Sequence, residues 1–207
     1  GERARLPELV ERGAANGVPG LRILSREEFV EIEPHAAGVE AIHSPHTGVV
    51  SFRAVSEKLG ETLQRLGGVI RTSTAVLRIV EAGGAVRLET NEGELYARFV
   101  VSAAGLHADR LAGPRAPVLI VPFRGEYLRL KPESRYLIRH LLYPVPDPTF
   151  PFLGVHFTRR IDGEIEAGPN AVLTLAREGY RRSEIALADL SEMACSAGFW
   201  RMARKHW

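Results

Sequence analysis

The run Phe152-Leu153-Gly154-Val155-His156-Phe157-Thr158-Arg159 has a marked chemical asymmetry. Strand alternation sets Gly154, His156 and Thr158 on one face and Leu153, Val155 and Phe157 on the other. A polar face carrying a glycine, opposite an apolar one, is the pattern of a ligand-facing wall. Imidazole is also the side chain that exchanges a proton near neutrality. The same pattern fits a structural histidine satisfied within a sheet, and both readings stand at this point. Arg159 closes the strand and can swing to either side. Arg124, in Pro122-Phe123-Arg124-Gly125-Glu126-Tyr127, offers a planar, two-pronged donor set that suits a carboxylate. Gly125 leaves room beside it, while Glu126 suggests the alternative of a salt-bridged strand arginine. Tyr127 falls on the opposite face from Arg124 in a regular strand, so both line one pocket only where a bulge intervenes. His43, His46, His107 and His140 read as turn or surface residues without metal-ligand spacing.

Several chemistries are excluded by inspection. No two glycines stand two positions apart, so no G-x-G-x-x-G turn exists, and there is no Walker sequence, G-x-S-x-G elbow or H-E-x-x-H. Cys195 is the only cysteine, which rules out an intrachain disulfide or a Cys-x-x-Cys motif and points to a reducing compartment. The balance of 27 basic against 25 acidic residues leaves a net charge of +2. Arg alternates with Glu along most segments, without the clustered cations and stacking aromatics of a nucleic-acid surface. No apolar run approaches the roughly 18 residues of a membrane span. The opening GERARLPELVERG has neither a signal core nor a starting Met, which reads as a trimmed beginning.

These side chains must be positioned by a mixed set of elements. Residues 2–16 read as a helix and 21–25 as a strand. Ser25 and Glu28 form a capping box for a second helix that Pro34 ends. Residues 38–51 read as two short strands around a turn. Val55, Leu59, Leu63 and Leu66 recur at helical spacing between Ser51 and the Gly67-Gly68 stop. Residues 69–105 alternate in runs broken at Gly83-Gly84 and Asn91-Glu92-Gly93, a three-stranded antiparallel meander that leads into Phe99–Ala104, a strand of the doubly buried type. From Val118 onward, strand-rich pieces separated by Pro, Asp and Gly suggest a larger antiparallel sheet, with a helical tail after Ser183. The expected organisation is 1–50, 51–112 and 113–207, with the break near Ala112–Pro117.

Residues 51–111, ending in Ala103-Ala104-Gly105 before a helix, resemble the latter part of the FAD domain of D-amino-acid-oxidase-like flavoproteins. The second half carries PFRGEY, YPVPDP, FLGVHFTR and GPNAVL in order. It resembles the substrate domain of L-2-hydroxyglutarate oxidases and dehydrogenases, and the resemblance covers nearly all of residues 1–195. It implies an α/β (mixed α+β) chain: residues 1–50 entering the substrate domain, 51–112 a partial FAD-binding domain, and 113–207 a substrate-binding antiparallel sheet with a C-terminal helix. It also implies FAD as cofactor of the complete parent, with Val76, Ala103, Ala104 and Gly105 against it. Small residues there let the backbone come close.

The activity implied is oxidation of L-2-hydroxyglutarate to 2-oxoglutarate by hydride transfer to FAD. His156 would take the hydroxyl proton, and Arg124, Tyr127 and Arg159 would bind the substrate. The partner expected is a small dicarboxylate 2-hydroxyacid, with no nucleic acid and no transmembrane segment. The location expected is cytoplasmic, compatible with peripheral association of the parent at a membrane, and the oligomeric state is open. The family begins with a strand–GxGxxG–helix unit and ends with a returning segment, and this sequence carries neither, so FAD is not expected on this chain alone. The alternatives are another amine or amino-acid oxidase of the superfamily, or a truncated chain that keeps the fold without turnover.

Overall fold

A computed structural model shows Ser25 serving two elements at once. It ends β1 (Arg22–Ser25) and caps α2 (Arg26–Ile32): its hydroxyl accepts from Glu28 N at 3.4 Å, and its own N–H donates to Glu28 Oε2 at 2.8 Å. That capping box satisfies helix-end donors that would otherwise lack partners. Residues 2–149 and 152–206 are described, with the backbone alone at Ala82, Arg115 and His206. Phe150 and Pro151, which precede the FLGVHFTR run, and Trp207, which ends the helical tail, lie outside the described residues. Contacts divide the chain into one unit of Gly1–Leu59 with Gly125–Ala171 and another of Gly60–Arg124 with Val172–Trp207. The sequence-read break near residues 112–117 therefore lies inside the second unit.

In the first unit, α1 (Leu6–Ala15), β1, α2 and β2 (Glu40–His43) bury Leu6, Leu24 and Phe29. β1 and β2 pair antiparallel from Arg22↔His43 to Ser25↔Glu40. The second strand expected within 38–51 is absent: Val49 and Val50 are exposed and outside any strand. α3 (Phe52–Arg65) runs through the first division between the units. Its start is capped by Ser51 Oγ, which accepts from Ala54 N, and Gly68 N closes its end on Leu63 O at 2.9 Å. β7 (Leu128–Arg129), β8 (His156–Arg159) and β9 (Ile165–Gly168) form an antiparallel sheet in the order β7-β9-β8 over the fully buried Ile165. An antiparallel bridge, Leu142↔Phe157, adds a further segment beside β8.

The second unit contains the expected meander, β3 (Val76–Ala82), β4 (Ala85–Thr90) and β5 (Gly93–Ala97). Gly83 and Gly84 both take positive φ at the first turn, as a two-residue hairpin loop requires. α4 (Ala108–Ala112) follows, then β6 (Phe123–Arg124) paired with β10 (Val172–Leu173), and α5 (Leu187–Ala194) and α6 (Ala197–His206).

Two further strand expectations are corrected. Phe99–Ala104 is not a strand: Phe99 is 87% and Val101 93% exposed, and among the described residues no strand pairs with them. A doubly buried strand needs a neighbour on each edge and cover on each face. The VPFRGEYLRL piece is not one strand either. It breaks at Gly125–Tyr127, and β6 and β7 enter different sheets.

Candidate functional site

His156 opens β8 and is 7% exposed. Its Nδ1 lies 2.9 Å from the Gly154 carbonyl oxygen. A carbonyl can only accept, so Nδ1 carries a proton, and in the neutral ring the lone pair then falls to Nε2. Nε2 has no partner among the described residues, where Arg135 Nε is the one buried side-chain nitrogen sealed from solvent without a hydrogen bond. Nε2 is therefore reached from outside. The Tyr143 ring stacks on the imidazole, with centroids 4.3 Å apart and planes 20° from parallel.

The ladder explains this grouping. His156 pairs with Gly168 on β9. The Leu128↔Ala167 register, extended by one row, sets Tyr127 opposite Gly168, and the Leu142↔Phe157 bridge, extended likewise, sets Tyr143 opposite His156. One face of the sheet thus carries the row Tyr127, Gly168, His156, Tyr143. A Cβ at Gly168 would come within 2.8 Å of Tyr127 Cδ1 and of the Glu126 carbonyl, so the tyrosine ring occupies the space a side chain would fill. The room expected beside Gly154 is likewise taken: a Cβ there would meet Pro144 Cγ at 2.7 Å.

The other substrate candidates are distributed differently. Alternation along β8 places Arg159 on the face opposite His156. It lines a cleft of about 680 Å³ with Arg139, His43, Tyr143 and apolar residues of α1 and α2. Neither guanidinium has a partner among the described residues, whereas the acids of the cleft are engaged. Glu33 accepts from Arg139 N at 2.9 Å and from His140, and Glu40 pairs with Arg3. Arg124, on β6 in the second unit, is buried, sits opposite Val172, and has side-chain or backbone interactions of its own. The space expected at Gly125 holds Pro169, whose Cβ would lie 2.9 Å from an added Cβ. Sequence reasoning missed Tyr143 and Arg139. The proline-rich YPVPDP stretch reads as a turn, and its pairing with β8 is a long-range fact.

The residues expected against a flavin lie in the second unit. Val76 starts β3, half-buried opposite Thr90. Gly105 has φ +53°, and a Cβ there would meet nothing within 4 Å. With Ala103 exposed beside it, the backbone of 103–105 can receive a planar group without displacing a side chain, so these residues fit one edge of FAD.

That turn is fastened from behind by charge. Asp109 and Arg110 of α4 engage Arg177 and the Asp189 and Glu192 carboxylates of α5. Arg177 also donates to the Leu106 carbonyl. Burial raises the Asp109 pKa, but the Arg177 guanidinium and the N–H groups of Ile120 and Arg110 more than offset it, and the net direction is down. Asp189 is lowered by the Arg177 N–H and Arg110, and Glu192 by Arg110 and then Arg177 against burial. Among the described residues no group of His, Cys, Asp and Glu is placed to hold a metal, and no helix is long and apolar enough to cross a membrane.

Residues 1–199 match the family described as FAD dependent oxidoreductase. The L-2-hydroxyglutarate dehydrogenase of Indibacter alkaliphilus is 43% identical over 206 residues, covering 98% of this chain and 52% of that protein. The mitochondrial L-2-hydroxyglutarate dehydrogenase of Homo sapiens is 41% identical, covering 99% and 48% respectively. The chain thus spans about half the length of the curated relatives it matches. Among solved structures, dithionite-reduced L-α-glycerophosphate oxidase from Mycoplasma pneumoniae with FAD bound has a TM-score of 0.72 at 23% identity, covering 92% of this chain and 52% of that one. Glycine oxidase from Bacillus cereus has a TM-score of 0.69 at 16% identity, covering 92% and 50%. At those identities the likeness is one of fold.

Proposed function

This chain belongs to the FAD dependent oxidoreductase family, and from that premise we propose that it is part of an enzyme oxidising L-2-hydroxyglutarate to 2-oxoglutarate. The relatives above, named for that substrate, support the choice over an amine or amino-acid oxidase. Bound FAD supplies the hydride acceptor. The residues of this chain do the rest. The backbone of Ala103, Ala104 and Gly105, with Val76, lies along the cofactor's edge. Arg124 anchors a substrate carboxylate through its fork. Tyr127 lies on the same face as His156 and contacts the substrate beside it. His156 Nε2 takes the hydroxyl proton as the α-carbon gives up its hydride. Arg159 lies on the other face, so in this reading it acts through the cleft it shares with Arg139 and not on the reacting carbon.

The observation that carries the proposal is the Nδ1–H to Gly154 hydrogen bond, which in the neutral ring puts the lone pair on an Nε2 that no described residue engages. The test is stopped-flow reduction of the full-length flavoprotein by L-2-hydroxyglutarate. His156→Asn is expected to keep the flavin and slow its reduction by roughly 10²–10⁴-fold. A normal rate refutes the assignment.

A further inference from the structure

We propose that Tyr143 is the positioning residue of His156: its ring fixes the plane of the imidazole, so that Gly154 can select the tautomer that leaves Nε2 open. The inference rests on His156 acting as the proton acceptor, and it concerns a residue that the substrate reading does not use.

The backbone dictates the contact. Leu142 and Phe157 exchange both ladder bonds, Leu142 N to Phe157 O at 3.0 Å and Phe157 N to Leu142 O at 2.8 Å. The next row of an antiparallel ladder is then a non-hydrogen-bonded pair, the kind whose side chains approach most closely. That row is Tyr143 and His156. Tyr143 also precedes Pro144, which confines its backbone to the extended region. Pro144 is seated against Gly154, where no side chain intervenes. The segment that carries the tyrosine is therefore locked to the strand that carries the histidine from both sides of the stack.

Two constraints act on one ring. Stacking at 4.3 Å and 20° restricts rotation of the imidazole out of its plane. Within that plane, the Gly154 carbonyl distinguishes the two nitrogens, because only a protonated nitrogen can satisfy it. Either constraint alone leaves the ring a second orientation, and together they leave one. The groups around the imidazole do not compete for Nε2. In the same row stand Gly168 and Tyr127. Two rows on, on the same face, Glu166 is held by Arg160 at 2.8 Å, and Arg129 by Glu164 at 3.0 Å. The tyrosine hydroxyl has no part in the device, so a phenyl ring should serve as well.

The test uses the full-length, FAD-loaded enzyme labelled with ¹⁵N-histidine, with the His156 ring resonances assigned by their loss in His156→Asn. The ring shifts report the tautomer whether or not the enzyme turns over. Tyr143→Phe is expected to keep the Nδ1–H tautomer and the rate of flavin reduction. Tyr143→Ala is expected to give averaged ring shifts and flavin reduction slowed roughly ten- to a hundredfold, with KM little changed, as for a misplaced catalytic group. Leu142→Ala weakens the same segment from its other face and should leave the tautomer intact. The proposal is overturned by a Tyr143→Ala enzyme with an unchanged tautomer, or by a Leu142→Ala enzyme that loses it equally. If His156→Asn itself proves fully active, the proton-acceptor reading fails, and the tautomer comparison still decides whether Tyr143 positions the ring.

Discussion

Asp109 Oδ1 meets Arg177 Nη1 at 2.5 Å, and the two side chains are 5% and 4% exposed. Three further partners surround them, since Arg110, Asp189 and Glu192 bridge α4 to α5. A buried pair owes its place to complete satisfaction, and removing Asp109 strips Arg177 of its most buried counter-charge, leaving only the half-exposed Glu192. Because Asp109 lies four residues after Gly105, the cluster also holds the turn proposed to meet the cofactor.

The first prediction follows from the direction of these shifts. Asp109, Asp189 and Glu192 all titrate below their ordinary values in the folded state. Depressed carboxylate pKa values contribute stability that is complete above the unfolded-state range of about 4 and is lost as pH falls through the lower folded values. Thermal melts of the full-length protein should therefore show Tm falling steeply below about pH 4. Asp109→Asn should cost about 3 kcal/mol at neutral pH and flatten that fall. An unchanged slope in the variant would show that the cluster does not govern acid stability.

Local chemistry was legible in the sequence, whereas long-range pairing was not. The Ser25–Glu28 box, the Ser51 cap and the Gly83-Gly84 hairpin appear where their residue types demand them, because each is decided within a few residues. Phe99–Ala104 failed as a strand because its apolar run specifies burial without supplying the neighbours that bury it. The α3 stripe behaves the same way, with Val55, Leu59 and Leu63 at helical spacing yet exposed. At the site, alternation correctly put His156 opposite Phe157, while the identity of its neighbours depended on register. Gly154 and Gly125 read as open space, and each instead accommodates a proline from a distant part of the chain.

Gly168 tests the row itself. A methyl group there would fall 2.8 Å from the Glu126 carbonyl oxygen and from Tyr127 Cδ1, and 3.1 Å from Tyr127 Cα. Two of these three atoms are backbone and cannot rotate aside. Gly168→Ala should cost about 1–3 kcal/mol by overpacking. It should also displace Tyr127, which fluorescence quenching or a crystal structure of the variant would detect. A melting temperature equal to the parent's would mean that β7 and β9 can part without cost.

Arg124 separates a binding role from a structural one. Lysine keeps the charge but loses the planar fork. If Arg124 holds a substrate carboxylate, Arg124→Lys in the full-length enzyme should lower kcat/KM by tenfold or more, ~1.4 kcal/mol, at nearly constant Tm. Because the residue is buried and engaged, the structural alternative makes the opposite forecast of normal kinetics and a lowered Tm. Steady-state kinetics and calorimetry on one preparation distinguish them.

The cofactor provides the last prediction. A dinucleotide is held chiefly at its pyrophosphate, by backbone N–H groups of a glycine turn at a helix N-terminus. The 207-residue sequence has no pair of glycines two positions apart. The helix that follows Gly105 is α4, five residues long and preceded by a 3-10 turn, with no side-chain cap. In the proposed reading the chain would meet the cofactor along the open backbone of 103–105 and the start of β3, and neither segment supplies a glycine turn for its phosphates. Such contacts add affinity once the phosphates are fixed but are too few to recruit the molecule. The 207-residue chain purified alone, incubated with excess FAD and dialysed, should therefore be colourless, with no flavin band in the visible spectrum. Stoichiometric yellow protein would show that residues other than a glycine turn hold the pyrophosphate, and would move the cofactor site away from the Ala103–Gly105 edge.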